Sequence, residues 1–365
     1  MANKIAALAL GLALTTTPAL AQREGPPRPE LPPIALNAEM SDAEIGAALE
    51  PWLASLSRDG VFSGAVLVAR NGQEIFATAH GVAALDTQTP LNLDTRFALA
   101  SITKQFTQAS ILQLIEAGRL SPTTTIGDVI PDYPNAVSRG ATIQQLMDHR
   151  GGLADFLGPR FRDAPKDRFT SNHAYYEFAS TVTPDFAPGE REEYCNSCYV
   201  VLGEIVERVS GMPYEQYVAQ NVLARAGMTG SGYFRHDQAP ANTARFIGHP
   251  MGPGTPPQDV ARWHGVSGSA AGNSYATIRD MLAYDNALRE GRLVNAEHTA
   301  QMLHGQETNG RSTQRFGYAG GAPGVNTVVM GNGQWTLIVL TNHEPPTAEA
   351  INETVFPLLA GPRPQ

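Results

Sequence analysis

Two hairpin patterns, one near each end of the chain, constrain the fold more than any other feature. Ser63-Gly64-Ala65-Val66-Leu67-Val68-Ala69-Arg70 and Gln73-Glu74-Ile75-Phe76-Ala77-Thr78 flank Asn71-Gly72. An Asn-Gly pair between apolar runs favours the two-residue turn whose twist matches that of paired strands. Near the other end, Val325-Asn326-Thr327-Val328-Val329-Met330 and Gln334-Trp335-Thr336-Leu337-Ile338-Val339-Leu340 flank Gly331-Asn332-Gly333. Between the hairpins, from roughly 120 to 290, the chain reads as mostly helical: 141–147, 199–210 ending at Gly211, 214–223 and 274–288. Two further helices close the ends. One starts near Asp42, where Ser41-Asp42-Ala43-Glu44 is a capping-box pattern with Pro51 downstream as a kink; the other covers 348–359. Terminal hairpins that pair into one sheet explain this order. The expected fold class is therefore α/β (α+β): an antiparallel sheet from the N- and C-terminal segments, flanking helices, and a helical lobe inserted between them. A site would fall in the cleft between sheet and lobe.

The chain's 365 residues carry a formal charge of −9 and no Lys/Arg run, which argues against nucleic acid or an anionic membrane surface as partner. Lys4, the apolar run 5–14 and Ala19-Leu20-Ala21 before Gln22 read as a signal peptide over 1–21, cleaved after Ala21. The apolar run is too short to span a bilayer. An exported, periplasmic protein is expected, with a Pro-rich linker over 22–35 and one domain over 36–365. No later apolar run suggests a membrane span, and nothing in the pattern bears on oligomeric state.

The chemistry centres on Phe97-Ala98-Leu99-Ala100-Ser101-Ile102-Thr103-Lys104-Gln105-Phe106, where an extended segment gives way to a helix reaching about Ala117. Residues three apart share a helix face, so the Ser101 hydroxyl and the Lys104 amine can meet as nucleophile and base. The chain has three lysines, Lys4, Lys104 and Lys166, and only Lys104 has a serine three residues before it. A helix N-terminus offers unpaired N–H groups to an oxyanion. Burial and positive potential lower a lysine's pKa enough for it to act as a base. Tyr194-Cys195-Asn196, ahead of a helix, offers a proton relay and an amide for the substrate. A second Tyr-x-Asn, Tyr284-Asp285-Asn286, falls inside an amphipathic helix and reads as core and surface. Gly317-Tyr318-Ala319-Gly320-Gly321-Ala322-Pro323-Gly324 permits close approach of substrate to backbone and a second oxyanion donor, or is an ordinary Gly-rich turn. No Gly-x-Ser-x-Gly elbow, His-Glu-x-x-His or phosphate-loop pattern occurs.

Together these residues resemble the serine β-lactamase and penicillin-binding-protein superfamily, in particular its class C β-lactamase-like branch of D,D-carboxypeptidases, D-aminopeptidases and esterases. Ser101-Ile102-Thr103-Lys104 is similar to its Ser-x-x-Lys motif and Tyr194-Cys195-Asn196 to its Tyr-x-Asn motif. The run 146–153 is similar to its Leu-Leu-x-His-x-Ser-Gly-Leu segment, and 268–272 to its Ala-Gly-Gly loop. The resemblance spans about 63 to 359. It implies a Ser101 acyl-enzyme, Lys104 and Tyr194 as the base system, Asn196 positioning substrate, and Gly321 N–H joining Ser101 N–H in the oxyanion hole beside Gly320. It implies a small-molecule or peptide substrate and no cofactor or metal.

Two positions depart from the pattern. Tyr318 stands where the family has the Lys or His of its third motif, and a neutral phenol offers no formal charge. This shifts expectation from carboxylate-bearing β-lactams and D-Ala peptides toward other esters and amides, with Tyr318 as an extra substrate contact. It also keeps open a binding or sensing module that acylates without turnover. Cys195 and Cys198, the only cysteines, bracket Asn196. They either form a disulfide, which export would permit, or fill small family positions as free thiols, and the free-thiol reading is preferred slightly. His149 is expected to be structural, and His264 a solvated loop residue or, less readily, one that lines the cleft.

Overall fold

Alternation along the first hairpin divides its side chains between two cores. The computed structural model describes residues 28–251, 255–304 and 316–361, so the expected signal peptide lies outside the described residues. Strand β1 (Gly64–Arg70) pairs antiparallel with β2 (Gln73–His80) through a turn in which Asn71 and Gly72 both take positive φ, 52° and 77°. The turn has the type the Asn-Gly pair favours. Ala65, Leu67 and Ala69 belong to one buried cluster, Val66 and Val68 to the other.

Strands β3 (Phe316–Ala322), β4 (Val325–Gly331) and β5 (Trp335–Thr341) complete a five-stranded antiparallel sheet in the order β2-β1-β5-β4-β3. The two ends of the chain meet where β1 pairs with β5, Gly64 opposite Thr341 and Arg70 opposite Trp335. The expected fold class is the one found. The Gly-rich segment at 317–322, for which the sequence left an ordinary turn open, is a strand. Glycines carry no side chains to alternate, so the period-2 signal of a strand is lost there.

Helix α1 (Asp42–Arg58), with the full Ser41–Glu44 capping box, covers one sheet face together with the C-terminal helix, Thr347–Ala360. Part of the Pro-rich stretch packs on this layer: Trp52 donates its indole N–H to the Pro32 carbonyl, and Leu31 and Ile34 touch the same cluster. The opposite face meets the larger core, which holds α2 (Lys104–Glu116), α3 (Asn196–Ser210) and α4 (Ile278–Arg289). Tyr284 and Asp285 are buried on α4, and Asn286 donates to the Gly72 carbonyl, so the second Tyr-x-Asn is structural. No helix among the described residues is long and apolar enough to cross a membrane.

Candidate active site

Three elements converge on Ser101. It lies in a single 3-10 turn, Ala100–Thr103, that feeds directly into α2. Ala100 holds a positive φ of 44°, a conformation costing a non-glycine residue about 1–3 kcal/mol unless its surroundings fix it. Here they do: Asn273 N–H donates to the Ala100 carbonyl and Leu99 N–H to that of Ser274.

Lys104 lies one turn on, 5% exposed, and its Nζ reaches Ser101 Oγ at 3.1 Å, Asn196 Oδ1 at 2.8 Å and the Ala271 carbonyl at 2.6 Å. Burial lowers its pKa to about 7, against the opposing field of Asp155. Tyr194 donates from Oη to Ser101 Oγ at 2.7 Å. Its ring stacks on His149 with centroids 4.6 Å apart, and Cys195 N–H donates to His149 Nδ1. His149 is thus the structural partner expected of it. Tyr194 is 53% exposed as a residue; desolvation at its hydroxyl raises the phenol above its ordinary range, opposed by the bond to Ser101.

Asn196 opens α3 rather than preceding it, because Cys195 is the N-cap. Cys195 and Cys198 are joined in a disulfide, their Cα atoms 5.3 Å apart, and this corrects the preference for free thiols. The N-cap residue and the residue one turn in lie close together, but the sequence did not show that Cys195 is the N-cap.

Strand β3 passes against the nucleophile. A Cβ on Gly320 would lie 2.4 Å from the Leu99 carbonyl and 2.9 Å from Ser101 N, so only glycine fits. Thr327 Oγ1 donates to the Leu99 carbonyl and Asn326 Nδ2 to that of Gly320, fixing the approach. Gly321 lines the same cleft as Ser101. Tyr318 does not. Its hydroxyl donates to the Met302 carbonyl and its ring packs against the larger core. Tyr318 as substrate contact is therefore corrected: it shares a strand face with Gly320, two residues on, but its ring is taken up by the core and its hydroxyl by Met302, outside the cleft.

The cleft is about 730 Å³ and includes Ser101, Tyr194, Asn196 and Gly321. Phe156, Leu157, Phe161, Tyr175 and Trp263 give it a largely apolar wall. Lys166 also borders it, but its amine is committed to the carbonyls of Phe161, Arg162 and Ala164. His264 is buried rather than loop-exposed. It stacks on Phe246, bonds the Pro323 carbonyl through Nε2 at 2.7 Å, and is held neutral by burial, its pKa lowered to about 4. It ties one wall to the β3–β4 turn. Sequence reasoning missed Asp155, whose carboxylate accepts from Asn196 Nδ2 at 2.7 Å. Away from the cleft, His173, Glu204 and Glu207 bring ligand-type atoms within 4.8 Å of one another, and Arg208 already pairs with Glu204.

The family model named Beta-lactamase matches residues 48–360. The chain belongs to the beta-lactamase family. It is thereby a serine hydrolase. Penicillin-binding protein 4* of Bacillus subtilis (strain 168) is 24% identical over 330 residues, 82% of this chain and 72% of that protein. A D-aminopeptidase of Brucella anthropi is 25% identical over 225 residues, 61% of this chain but only 41% of its own length. Among solved structures, a penicillin binding protein from Bacillus halodurans superposes with a TM-score of 0.73 at 26% identity, covering 82% of this chain and 98% of that one.

Proposed function

We propose that the protein is an exported hydrolase in which Ser101 is transiently acylated by an ester or amide carrying a bulky apolar acyl group. The observation that carries this reading is the double engagement of Ser101 Oγ, by Lys104 Nζ at 3.1 Å and Tyr194 Oη at 2.7 Å. Of the two, Lys104 is the better base near neutrality, since its pKa is lowered to about 7 while that of Tyr194 is raised.

As Oγ bonds to the carbonyl carbon, its proton passes to Lys104 and the carbonyl π pair moves onto oxygen. The Ser101 and Gly321 N–H groups receive that oxyanion. On collapse the carbon–leaving-group bond breaks, and the Tyr194 hydroxyl supplies the leaving group's proton. The proton held by Lys104 then restores the phenol. Water repeats the sequence to release the acid. Asn196 offers its second Nδ2 hydrogen to the substrate. The apolar wall supports a bulky acyl group. Tyr318, neutral and committed to the Met302 carbonyl, is no third-motif cation for a substrate carboxylate, which supports neutral esters and amides over β-lactams and D-Ala peptides.

The test is hydrolysis of a p-nitrophenyl ester by the wild type and Ser101→Ala. Turnover in the wild type that falls to background in the variant is the expected result. Equal turnover in both would remove Ser101 as nucleophile, and none in either would favour acylation without release, read by intact mass after exposure to penicillin.

A further inference from the structure

Lys104 Nζ has three polar neighbours, and they match a neutral amine. Such an amine has two N–H donors and one lone pair. The Ala271 carbonyl and Asn196 Oδ1 can only accept, so they take both hydrogens and leave the lone pair for Ser101. That assignment depends on which way the Asn196 amide faces. Turned over, it would aim Nδ2 hydrogens at the amine and occupy the lone pair.

Asp155 decides the orientation. Its Oδ2 accepts from Asn196 Nδ2 at 2.7 Å, and the reverse orientation would set an amide oxygen against a carboxylate. Asp155 is itself held in place. Its Oδ1 accepts from Leu157 N–H at 3.0 Å. On either side of it, Ser197 Oγ donates to the Ala154 carbonyl at 2.6 Å and accepts from Phe156 N–H at 3.0 Å. The loop carrying Asp155 is thus pinned to the first turn of α3, beside Asn196. Among the described residues, its carboxylate is the anion whose field stabilises the charged form of Lys104. The other titratable groups facing that amine are the rings of Tyr194 and Tyr199, at 4.9 and 5.5 Å, and neutral His149.

We infer that Asp155 is a positioning residue of the acylation machinery: by fixing the Asn196 amide it reserves the Lys104 lone pair for Ser101, and by its charge it sets the pH at which that lone pair becomes available. The inference rests on the base role proposed above for Lys104, but its readout does not require turnover. Only three lysines occur in the chain, so lysine labelled with 13C at Cε gives a spectrum in which Lys104 is assigned by its loss in Lys104→Arg. In the full chain, Asp155→Asn is expected to move the Lys104 titration midpoint to lower pH by about half a pH unit or more, since an opposite charge nearby favours the protonated form. Asp155→Glu, which keeps the charge, is expected to restore the midpoint most of the way. Where turnover is measurable, the rising limb of kcat/KM moves with the midpoint, and the Asp155→Asn plateau falls about tenfold or more as the amide is freed. A Lys104 midpoint unchanged in a folded Asp155→Asn protein overturns the inference, whatever the activity. Absence of Ser101-dependent turnover in the wild type would instead count against the proposed function and leave the titration result standing.

Discussion

At the scale of single residues, the site is a set of hydrogen-bond valences that close only in one protonation state. Tyr194 Oη is a phenol held protonated, and its donation to Ser101 Oγ is what a phenylalanine lacks. Tyr194→Phe is expected to cut kcat by about 10²–10⁴-fold, the usual worth of a positioned general acid or base, with little change in thermal midpoint. Lys104 supplies the pH dependence. With its pKa at about 7, kcat/KM of the wild type should rise as pH passes upward through that value, because the neutral amine is the competent form. A flat profile between pH 5 and 8 would show that Lys104 is not the base. The same burial has an opposite meaning for stability. The folded-state pKa lies below the ordinary 10.5, so the penalty on folding is complete below about pH 7 and is relieved as pH rises toward 10.5.

At the scale of elements, the nucleophile's position is set by backbone approach rather than by side-chain packing. Strand β3 comes so close to Leu99 and Ser101 that residue 320 has no room for a methyl group. Gly320→Ala is expected to push the strand off the nucleophile, lowering stability by about 1–3 kcal/mol and reducing activity far more than that loss accounts for. Denaturant unfolding beside kcat measurement separates the two effects, and a variant that loses neither would show the approach to be dispensable. The first turn of α3 is fixed differently. Its N-cap residue, Cys195, is bonded to Cys198 and follows the tyrosine that touches Ser101. Thiol titration of the unfolded, unreduced protein should find no free thiol, and the reduced protein two; a titre of two without reductant would mean an open bond.

At the scale of the whole molecule, acid is the condition to which the fold is most exposed. His149, His264 and His343 are each held neutral by burial, with pKa lowered to about 4 from the ordinary 6.5. Each group's contribution is present above 6.5, where both folded and unfolded forms are neutral. It is lost as pH falls toward 4, where only the unfolded chain takes up the proton. Unfolding free energy measured at pH 7, 5 and 4 should therefore drop steadily over that window. Replacing His343, which is remote from Ser101 in the chain and beside His249, should flatten part of the slope without altering the pH profile of catalysis. An unchanged slope would show that these rings are solvated.

The sequence by itself determined what is local. Asn71-Gly72 specified the first hairpin turn, Ser41 and Glu44 the start of α1, and the three-residue spacing of Ser101 and Lys104 their meeting on one turn. The order of strands and helices was enough to place both ends of the chain in one sheet. Tertiary structure decided what depends on contacts between distant segments. The β3 strand is hidden in sequence because glycine carries no pattern, and its need for glycine arises from Leu99 and Ser101, more than two hundred positions away. Tyr318 matched a motif position, but its ring is received by the core and its hydroxyl by Met302, which no motif shows. Asp155 looked like any loop carboxylate until Ser197 anchored its neighbours beside Asn196. Local geometry follows from covalent spacing and propensity, whereas the direction of a side chain and the pKa of a buried amine follow from what packs around them.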